Sequence, residues 1–355
     1  MPAFSKISKN AIVISGYFGF DNTGDEAVLA SVVQTIQKDI PKAPIIALSA
    51  NPELTAKRLQ IEAVQRNDFG AVRQALGSAR LFISGGGSLF QDITSIHSVC
   101  YYAMLINMAW LRKVPVMVLA QGLGPLHTGL GKWITKRALK KAKVLTWRDE
   151  ASFTLAKELG LKEEKMFLTC DPVLCWQPEK VTVPLLPPGK KIAFCLRPWP
   201  NLNRKELAKT MDKLMEKNYN VVLLPLQKEV DDIELNEIES MMQGKPWHIP
   251  ALTAEGIWQI LADVDLVVSM RLHALIMAAA LKVPAAAISY DPKVLAFAKQ
   301  AAQPVIAEVE NINAEKLIFE IEKLIQKPVL EPYSNKEALW QVSRDKIKAL
   351  YEQNS

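Results

Sequence analysis

Ala11-Ile12-Val13-Ile14-Ser15-Gly16-Tyr17-Phe18-Gly19-Phe20-Asp21-Asn22-Thr23-Gly24-Asp25-Glu26 is the stretch that decides the fold. Its first five residues are an unbroken, mostly β-branched run, which suits a strand buried on both faces of a parallel sheet. A glycine-punctuated loop follows, and then a helical pattern expected over Asp25–Lys38. The same unit of run, loop and helix recurs at Ile45–Leu48, Leu81–Ser84, Val114–Leu119 and Val144–Trp147, with another helix expected over Ser95–Arg112. After Cys170-Asp171-Pro172 the rhythm pauses. The segment Gln177 to Gly189 holds Pro178, Pro184, Pro187 and Pro188, which neither a helix nor a central strand tolerates. The rhythm resumes at Lys191–Leu196, Asn220–Leu224, Leu266–Ser269 and Ala285–Ser289, and a last helical pattern runs from Lys336 to Glu352.

These patterns predict an α/β chain of two doubly wound, Rossmann-like domains. The first covers residues 1–176, a linker 177–189 and the second 190–334, and a C-terminal helix occupies 335–355, packing on the first domain or elsewhere. Two parallel sheets of this kind are expected to face a central cleft, with ligands at the C-terminal ends of the strands. At 355 residues the chain is too long for one ordinary domain. With 49% hydrophobic and 23% charged residues it is a packed protein, not a disordered one.

The four cysteines, Cys100, Cys170, Cys175 and Cys195, show no C-x-x-C spacing and lie in apolar surroundings. They read as buried thiols, with no disulfide framework and no zinc site. The N-terminal segment MPAFSKISKN has no apolar core of a secretory signal. The longest apolar stretch, Tyr101 to Leu111, is about half a membrane span and contains Asn107. A cytoplasmic protein is therefore expected. A net charge of +6 suits an anionic substrate or an anionic membrane surface. It lacks the arginine density of a nucleic-acid binder.

The informative residues fall just after the expected strands. In the opening loop, glycines let backbone approach a ligand and helix N-terminal amides favour an anion. Asn22 and Thr23 can equally serve as plain helix caps, and Asp25 and Glu26 can complement the helix dipole. The spacing is not G-x-G-x-x-G, so a nicotinamide cofactor gains no support. Gly85-Gly86-Gly87-Ser88-Leu89-Phe90-Gln91-Asp92 carries three adjacent glycines, more than a plain connection needs, and is read as ligand-facing backbone. Gln121-Gly122-Leu123-Gly124-Pro125 is a weaker loop of the same kind. Arg148 ends a strand, where its guanidinium can grip a carboxylate or phosphate or pair with Asp149 or Glu150.

Ser269-Met270-Arg271-Leu272-His273 sets a cation and a histidine at the start of a helix. A helix N-terminus weakens a nearby histidine's hold on a proton, which suits proton exchange near neutrality. Lys293, in Ser289-Tyr290-Asp291-Pro292-Lys293, is expected in the same cleft. His97 and His248 have no chemical neighbourhood in sequence, and His127 is a minor candidate. No residue cluster has metal-ligand spacing, and no G-x-S-x-G elbow is present.

Taken in order, Asn22-Thr23-Gly24-Asp25-Glu26, Gly85 to Asp92, Gln121-Gly122-Leu123-Gly124, Arg148-Asp149-Glu150, Asp171-Pro172 and Arg271-Leu272-His273 are similar to the motifs of the polysaccharide pyruvyl transferase family. The likeness is greatest to the bacterial members that modify secondary cell-wall polymers, and it runs from about Ile12 to Pro292. The resemblance implies a fold of the glycosyltransferase-B type and transfer of pyruvate from phosphoenolpyruvate to a sugar as a cyclic ketal. Phosphoenolpyruvate is then a co-substrate, with no further cofactor. Arg148, Arg271, Leu272 and His273 match the family's donor-binding positions, and Lys293 joins them from its place in the sequence. His273 is the expected general acid, toward either the methylene carbon or the departing phosphate. Asn22, Thr23, Gly24, Asp25, Gly86, Gly87, Gln91, Asp92 and Gln121 are expected on the acceptor side. Asp21, Asp25, Glu26 and Asp92 are the candidate bases. The implied acceptor is a β-linked N-acetylmannosamine in a lipid-diphosphate-linked disaccharide.

Lys132, Lys136, Arg137, Lys140, Lys141 and Lys143 crowd one helical segment around Trp133. They read as a solvated helix face or as peripheral contact with anionic lipid at the inner membrane. The sequence gives no oligomeric state. Two rival functions use the same fold differently: a nucleotide-sugar glycosyltransferase or epimerase, which needs an acidic residue for the ribose, and a non-catalytic glycan-binding module.

Overall fold

The computed structural model describes residues 7–93, 96–329, 333 and 335–353. Ser95, the expected start of a helix, and residues 1–6 of the N-terminal segment lie outside the described residues. The chain divides into two compact units: residues 1–20, 28–176 and 335–355 form one, and residues 21–27 and 177–334 form the other.

The first unit holds strands β1 (Ala11–Ser15), β2 (Ile45–Ser49), β3 (Glu62–Gln65), β4 (Ala79–Gly85), β5 (Val116–Gln121), β6 (Val144–Trp147) and β7 (Met166–Leu168). They form one parallel sheet in the order β3-β2-β1-β4-β5-β6-β7. The helices of this part are α1 (Thr23–Asp39), which enters the unit at Val28, α2 (Pro52–Leu59), α3 (Phe69–Ser78), α4 (Ile96–Leu111), α5 (Gly129–Leu139) and α6 (Glu150–Glu158). Every residue of β1, β2, β5 and β6 is buried, which is why they read as unbroken apolar runs.

The second unit repeats the plan. Strands β8 (Lys191–Cys195), β9 (Asn220–Leu223), β10 (Trp247–His248), β11 (Leu266–Ser269), β12 (Ala285–Ser289) and β13 (Val305–Glu308) form a parallel sheet ordered β10-β9-β8-β11-β12-β13. Helices α7 (Arg204–Glu216), α8 (Val230–Met241), α9 (Ala254–Ala262), α10 (Leu272–Leu281), α11 (Pro292–Gln300) and α12 (Ala314–Gln326) cover it. Residues 177–190 carry neither helix nor strand. Each sheet has its own apolar core.

The last helix, α13 (Lys336–Glu352), packs within the first unit. Trp340 is buried and its Nε1 donates to Thr35 Oγ1 at 3.2 Å. Tyr351 donates its hydroxyl to the Asn10 carbonyl at 3.0 Å. Arg344 grips Asp39 at the end of α1 through Nε, at 2.6 Å, and through Nη2. The hydrogen bond from Arg344 holds the Asp39 carboxyl below its ordinary value of 3.8, against the opposing effect of burial. The stability gained from this pair is complete above that ordinary value and is lost as pH falls through the lowered one. Asp39→Asn should therefore cost about 1–2 kcal/mol at neutral pH and nothing in strong acid. Urea unfolding of the two proteins across pH 2–7 checks this, and a cost independent of pH would contradict it.

Two of the four cysteines depart from the expected burial. Cys170 and Cys195 are buried, but Cys175 is half-buried and Cys100 is exposed on α4, because it lies on the helix face turned away from the sheet. All four are free thiols. Among the described residues no helix is long and apolar enough to cross a membrane.

Candidate functional site

In a doubly wound sheet, ligands settle where neighbouring strands send their connections to opposite sides. In the second unit that point lies between β8 and β11, whose register pairs Cys195 with Ser269. Two residues beyond each partner stands an arginine, Arg197 after β8 and Arg271 after β11. Two guanidinium side chains therefore leave adjacent strands at the same level.

Arg271 precedes α10, and Ser269 fixes its turn. The Ser269 hydroxyl accepts from Arg271 N at 2.8 Å and donates to the Arg271 carbonyl at 2.9 Å. The Arg271 guanidinium is held by Asp231, a fully buried carboxylate in the first turn of α8. Nε donates to its two oxygens at 3.1 and 2.9 Å, while Nη2 reaches Asp231 and also Gln227 Oε1, the latter at 3.2 Å. Asp231 also accepts from the backbone N–H groups of Leu226 and Gln227, at 3.0 and 2.9 Å. With Nε and Nη2 taken, Nη1 is the edge of Arg271 left to meet a ligand.

Arg197 is built differently. Its Nη1 donates to the Tyr290 hydroxyl at 3.2 Å, and its guanidinium lies 5.8 and 5.3 Å from the ring centres of Trp199 and Tyr290. Its Nε is buried without a hydrogen-bond partner, and among the described residues no carboxylate pairs with it. A cation lying against two aromatic rings without a counter-charge favours an anion from solution.

His273 is the second residue of α10, half-buried, and the start of α1 packs on it. Thr23 N donates to the Leu226 carbonyl at 2.9 Å, Asn22 bridges Gln227, and Asn22 Oδ1 accepts from Gly24 N at 3.1 Å. A Cβ on Gly24 would overlap the His273 imidazole, so only glycine permits this approach. Asn22, Thr23, Gly24 and Asp25, expected on the acceptor side of the first domain, thus belong with His273 in the second unit. The backbone bonds to the loop after β9 draw them there. Leu272 opens α10 beside His273, half-buried. Lys293 sits in the first turn of α11 and pairs at 3.5 Å with Asp291, the residue that caps that helix.

In the first unit, Arg148 leaves the end of β6 and is almost fully buried. It lies 3.5 Å from both Asp171 Oδ2 and Asp149 Oδ2, and its Nη2 donates to Ser88 Oγ at 3.3 Å. These contacts are long, and both readings of Arg148 survive: it is ion-paired, yet no carboxylate grips it with two short bonds.

Gly85, Gly86 and Gly87, at the end of β4 and just beyond it, are buried. Gly86 has φ +73° and a Cβ there would overlap Val28 of α1, so close helix packing explains the glycine. Gln121 is likewise fully buried, and its Nε2 donates to Ser84 Oγ at 2.9 Å. Gln91 accepts from Ile93 N at 3.0 Å. Asp92 holds Thr128, the residue that caps α5, accepting from His127 N, Thr128 N and Thr128 Oγ1 at 2.7, 2.8 and 2.6 Å. Burial raises its proton affinity, but these hydrogen bonds outweigh it and leave the carboxyl below its ordinary range, a poor base. His248 does have a neighbourhood: its Nδ1 lies 2.7 Å from Glu239 Oε2.

Sequence reasoning missed three side chains here. Asp231 looks like one acid in a solvated helix start, and its partner is 40 positions away. Arg197 is hidden because strand order, not sequence order, sets it beside Arg271. The third is Arg66, buried after β3, which donates to the Gly16 carbonyl at 3.2 Å. Its guanidinium lies 5.0, 4.5 and 5.7 Å from the ring centres of Phe20, Tyr101 and Tyr102. Among the described residues no group of three or more His, Cys, Asp or Glu is arranged to hold a metal ion.

Comparison with known proteins adds a family and a fold. A family model described as polysaccharide pyruvyl transferase matches residues 22–292. No curated protein matches the chain significantly. Among solved structures, a putative UDP-N-acetylglucosamine 2-epimerase from Listeria monocytogenes is similar, with TM-score 0.66 and 12% identity over 96% of this chain and 95% of that one. The UDP-GlcNAc 2-epimerase from Neisseria meningitidis bound to UDP-GlcNAc gives TM-score 0.63 and 11% identity over 96% and 100%. That from Methanocaldococcus jannaschii in complex with UDP-GlcNAc and UDP gives 0.59 and 13% over 97% and 99%. At such identities the likeness speaks for the fold alone: two Rossmann-like units of the glycosyltransferase-B type.

Proposed function

The chain belongs to the polysaccharide pyruvyl transferase family, and from this we propose that it transfers pyruvate from phosphoenolpyruvate to a sugar, forming a 4,6-ketal and releasing phosphate. The observation that carries the donor assignment is the pair of arginines flanking the β8–β11 switch point, with His273 two residues beyond Arg271. Phosphoenolpyruvate has a carboxylate and a phosphate, and Nη1 of Arg271 and the unneutralised Arg197 suit those groups. Lys293 adds positive charge and Leu272 an apolar wall beside the methylene.

His273 gives a proton to the methylene carbon as C2 gains oxocarbenium character. One sugar hydroxyl attacks C2, the C2–O bond to phosphate breaks, and the second hydroxyl closes the ring. Of the two protons lost by the sugar, one replaces that given by His273 and the other leaves with phosphate. The acceptor in this reading is a β-linked N-acetylmannosamine on a lipid diphosphate. The free thiols suit a reducing compartment, so the cytoplasm is the proposed location. Likeness to the epimerases is a likeness of fold and gives the rival reading no separate support.

Calorimetric titration of phosphoenolpyruvate into the protein tests the donor site. Arg197→Ala and Arg271→Ala should each weaken binding by about 10- to 100-fold, the loss of one charged hydrogen-bonding contact. Unchanged affinity in Arg197→Ala would remove that residue from the site.

A further inference from the structure

Between Asp92 and Asp149 the sequence contains no aspartate or glutamate, while Lys113 and the six cations from Lys132 to Lys143 all fall there. With a net charge of +6 for the whole chain, this one stretch carries the positive excess. The structure folds it onto one flank of the first unit, where α4 packs beside α5. On α5 the inward face is Thr135, Ala138 and Leu139. The outward face, at spacings of three and four, is Leu130, Trp133, Arg137 and Lys140, all exposed. Leu130 is 58% exposed and Trp133 54%, an unusual outlay of apolar surface on a helix that faces water.

At the other end of the flank the last turn of α4 exposes Trp110 by 50% and Leu111 by 71%. These two open onto a groove of about 630 Å³ whose rim carries Lys113, Lys141 and Lys143. Lys141 lies 4.7 Å from the ring centre of Trp110 and Arg137 4.8 Å from that of Trp133. Each tryptophan is thus topped by a cation, the arrangement of an amphipathic side chain at a membrane–water boundary.

We infer that the α4–α5 flank docks on an anionic phospholipid bilayer, with Trp110, Leu111, Leu130 and Trp133 entering the headgroup layer and the groove taking a lipid phosphate. Charge complementarity selects this occupant: a cationic stretch that contains no acid meets an anionic surface. The exposed leucines favour a bilayer over a nucleic acid, which has no acyl region to receive them. Lysine also outnumbers arginine here, and lysine stems suit burial along an apolar boundary. The inference stands apart from the reaction proposed above, because it concerns a flank that carries none of the donor residues.

The test is sedimentation of the full chain with unilamellar vesicles, either phosphatidylcholine alone or phosphatidylcholine mixed with phosphatidylglycerol. Binding is expected only with phosphatidylglycerol and should weaken steeply in high salt. At about fivefold per lysine near such a surface, Lys113→Gln, Lys140→Gln and Lys143→Gln together should lower partitioning by about 100-fold. Trp110→Ala with Leu111→Ala should lower it at unchanged charge. All five residues are exposed or nearly so, so thermal unfolding of the variants should match the parent and show that folding is kept. Equal sedimentation with both vesicle types, or full binding by the lysine variant, would overturn the inference. So would tighter binding to a single-stranded RNA than to the anionic vesicles.

Discussion

His273→Ala should slow pyruvyl transfer by about 10²–10⁴-fold, the usual contribution of a positioned proton donor, while the chain stays folded and phosphoenolpyruvate still binds. The imidazole stands at the start of α10, two residues beyond Arg271, and the start of α1 closes over it at Gly24. Gly24→Ala is the companion variant. Its new methyl overlaps the ring, so it should also depress turnover although the histidine is present. Single-turnover rates with saturating donor read both effects. Near-normal turnover by His273→Ala removes it from the mechanism.

Asp231→Ala should be the most damaging single change to stability. The carboxylate is fully buried and satisfies Arg271 as well as the backbone N–H groups of Leu226 and Gln227. Removing it leaves a buried guanidinium without its counter-charge, a loss of about 3–5 kcal/mol. Adding Arg271→Met to Asp231→Ala should recover part of the loss, because the stranded charge is gone. Urea unfolding of the two variants decides. A double variant no more stable than the single would show that Asp231 acts mainly through the backbone of the loop after β9.

Much of the architecture could be read from the sequence because the central strands are buried on both faces. β1, β6, β11 and β12 appear as apolar runs with the bounds seen in the structure. The strands not foreseen are β3, β7, β10 and β13, and all four are the outer strands of their sheets. Glu62–Gln65 has no buried residue, and Trp247–His248 is only two residues long. Without two-sided burial there is no run to recognise.

The site was less legible. Three adjacent glycines did signal a backbone constraint, but the constraint is the packing of Val28 on Gly86, which periodicity does not reveal. Gln121 was singled out for its place after a strand, and the structure uses it to hold Ser84. Arg271 and His273 were visible because they are neighbours in sequence. Arg197, Arg66 and Asp231 were not, because their partners come from other strands and helices. A residue's role at a strand end depends on which strand lies next to it, and that is a property of topology.

The reaction itself is read by mass spectrometry of the sugar after incubation of the protein with phosphoenolpyruvate and a lipid-diphosphate N-acetylmannosaminyl-N-acetylglucosamine analogue, with phosphate followed in parallel. Phosphate release should require acceptor, and the sugar should become heavier by one pyruvic acid less one water. Phosphate release without acceptor, or an unmodified sugar beside nucleotide released from a nucleotide sugar, would contradict it.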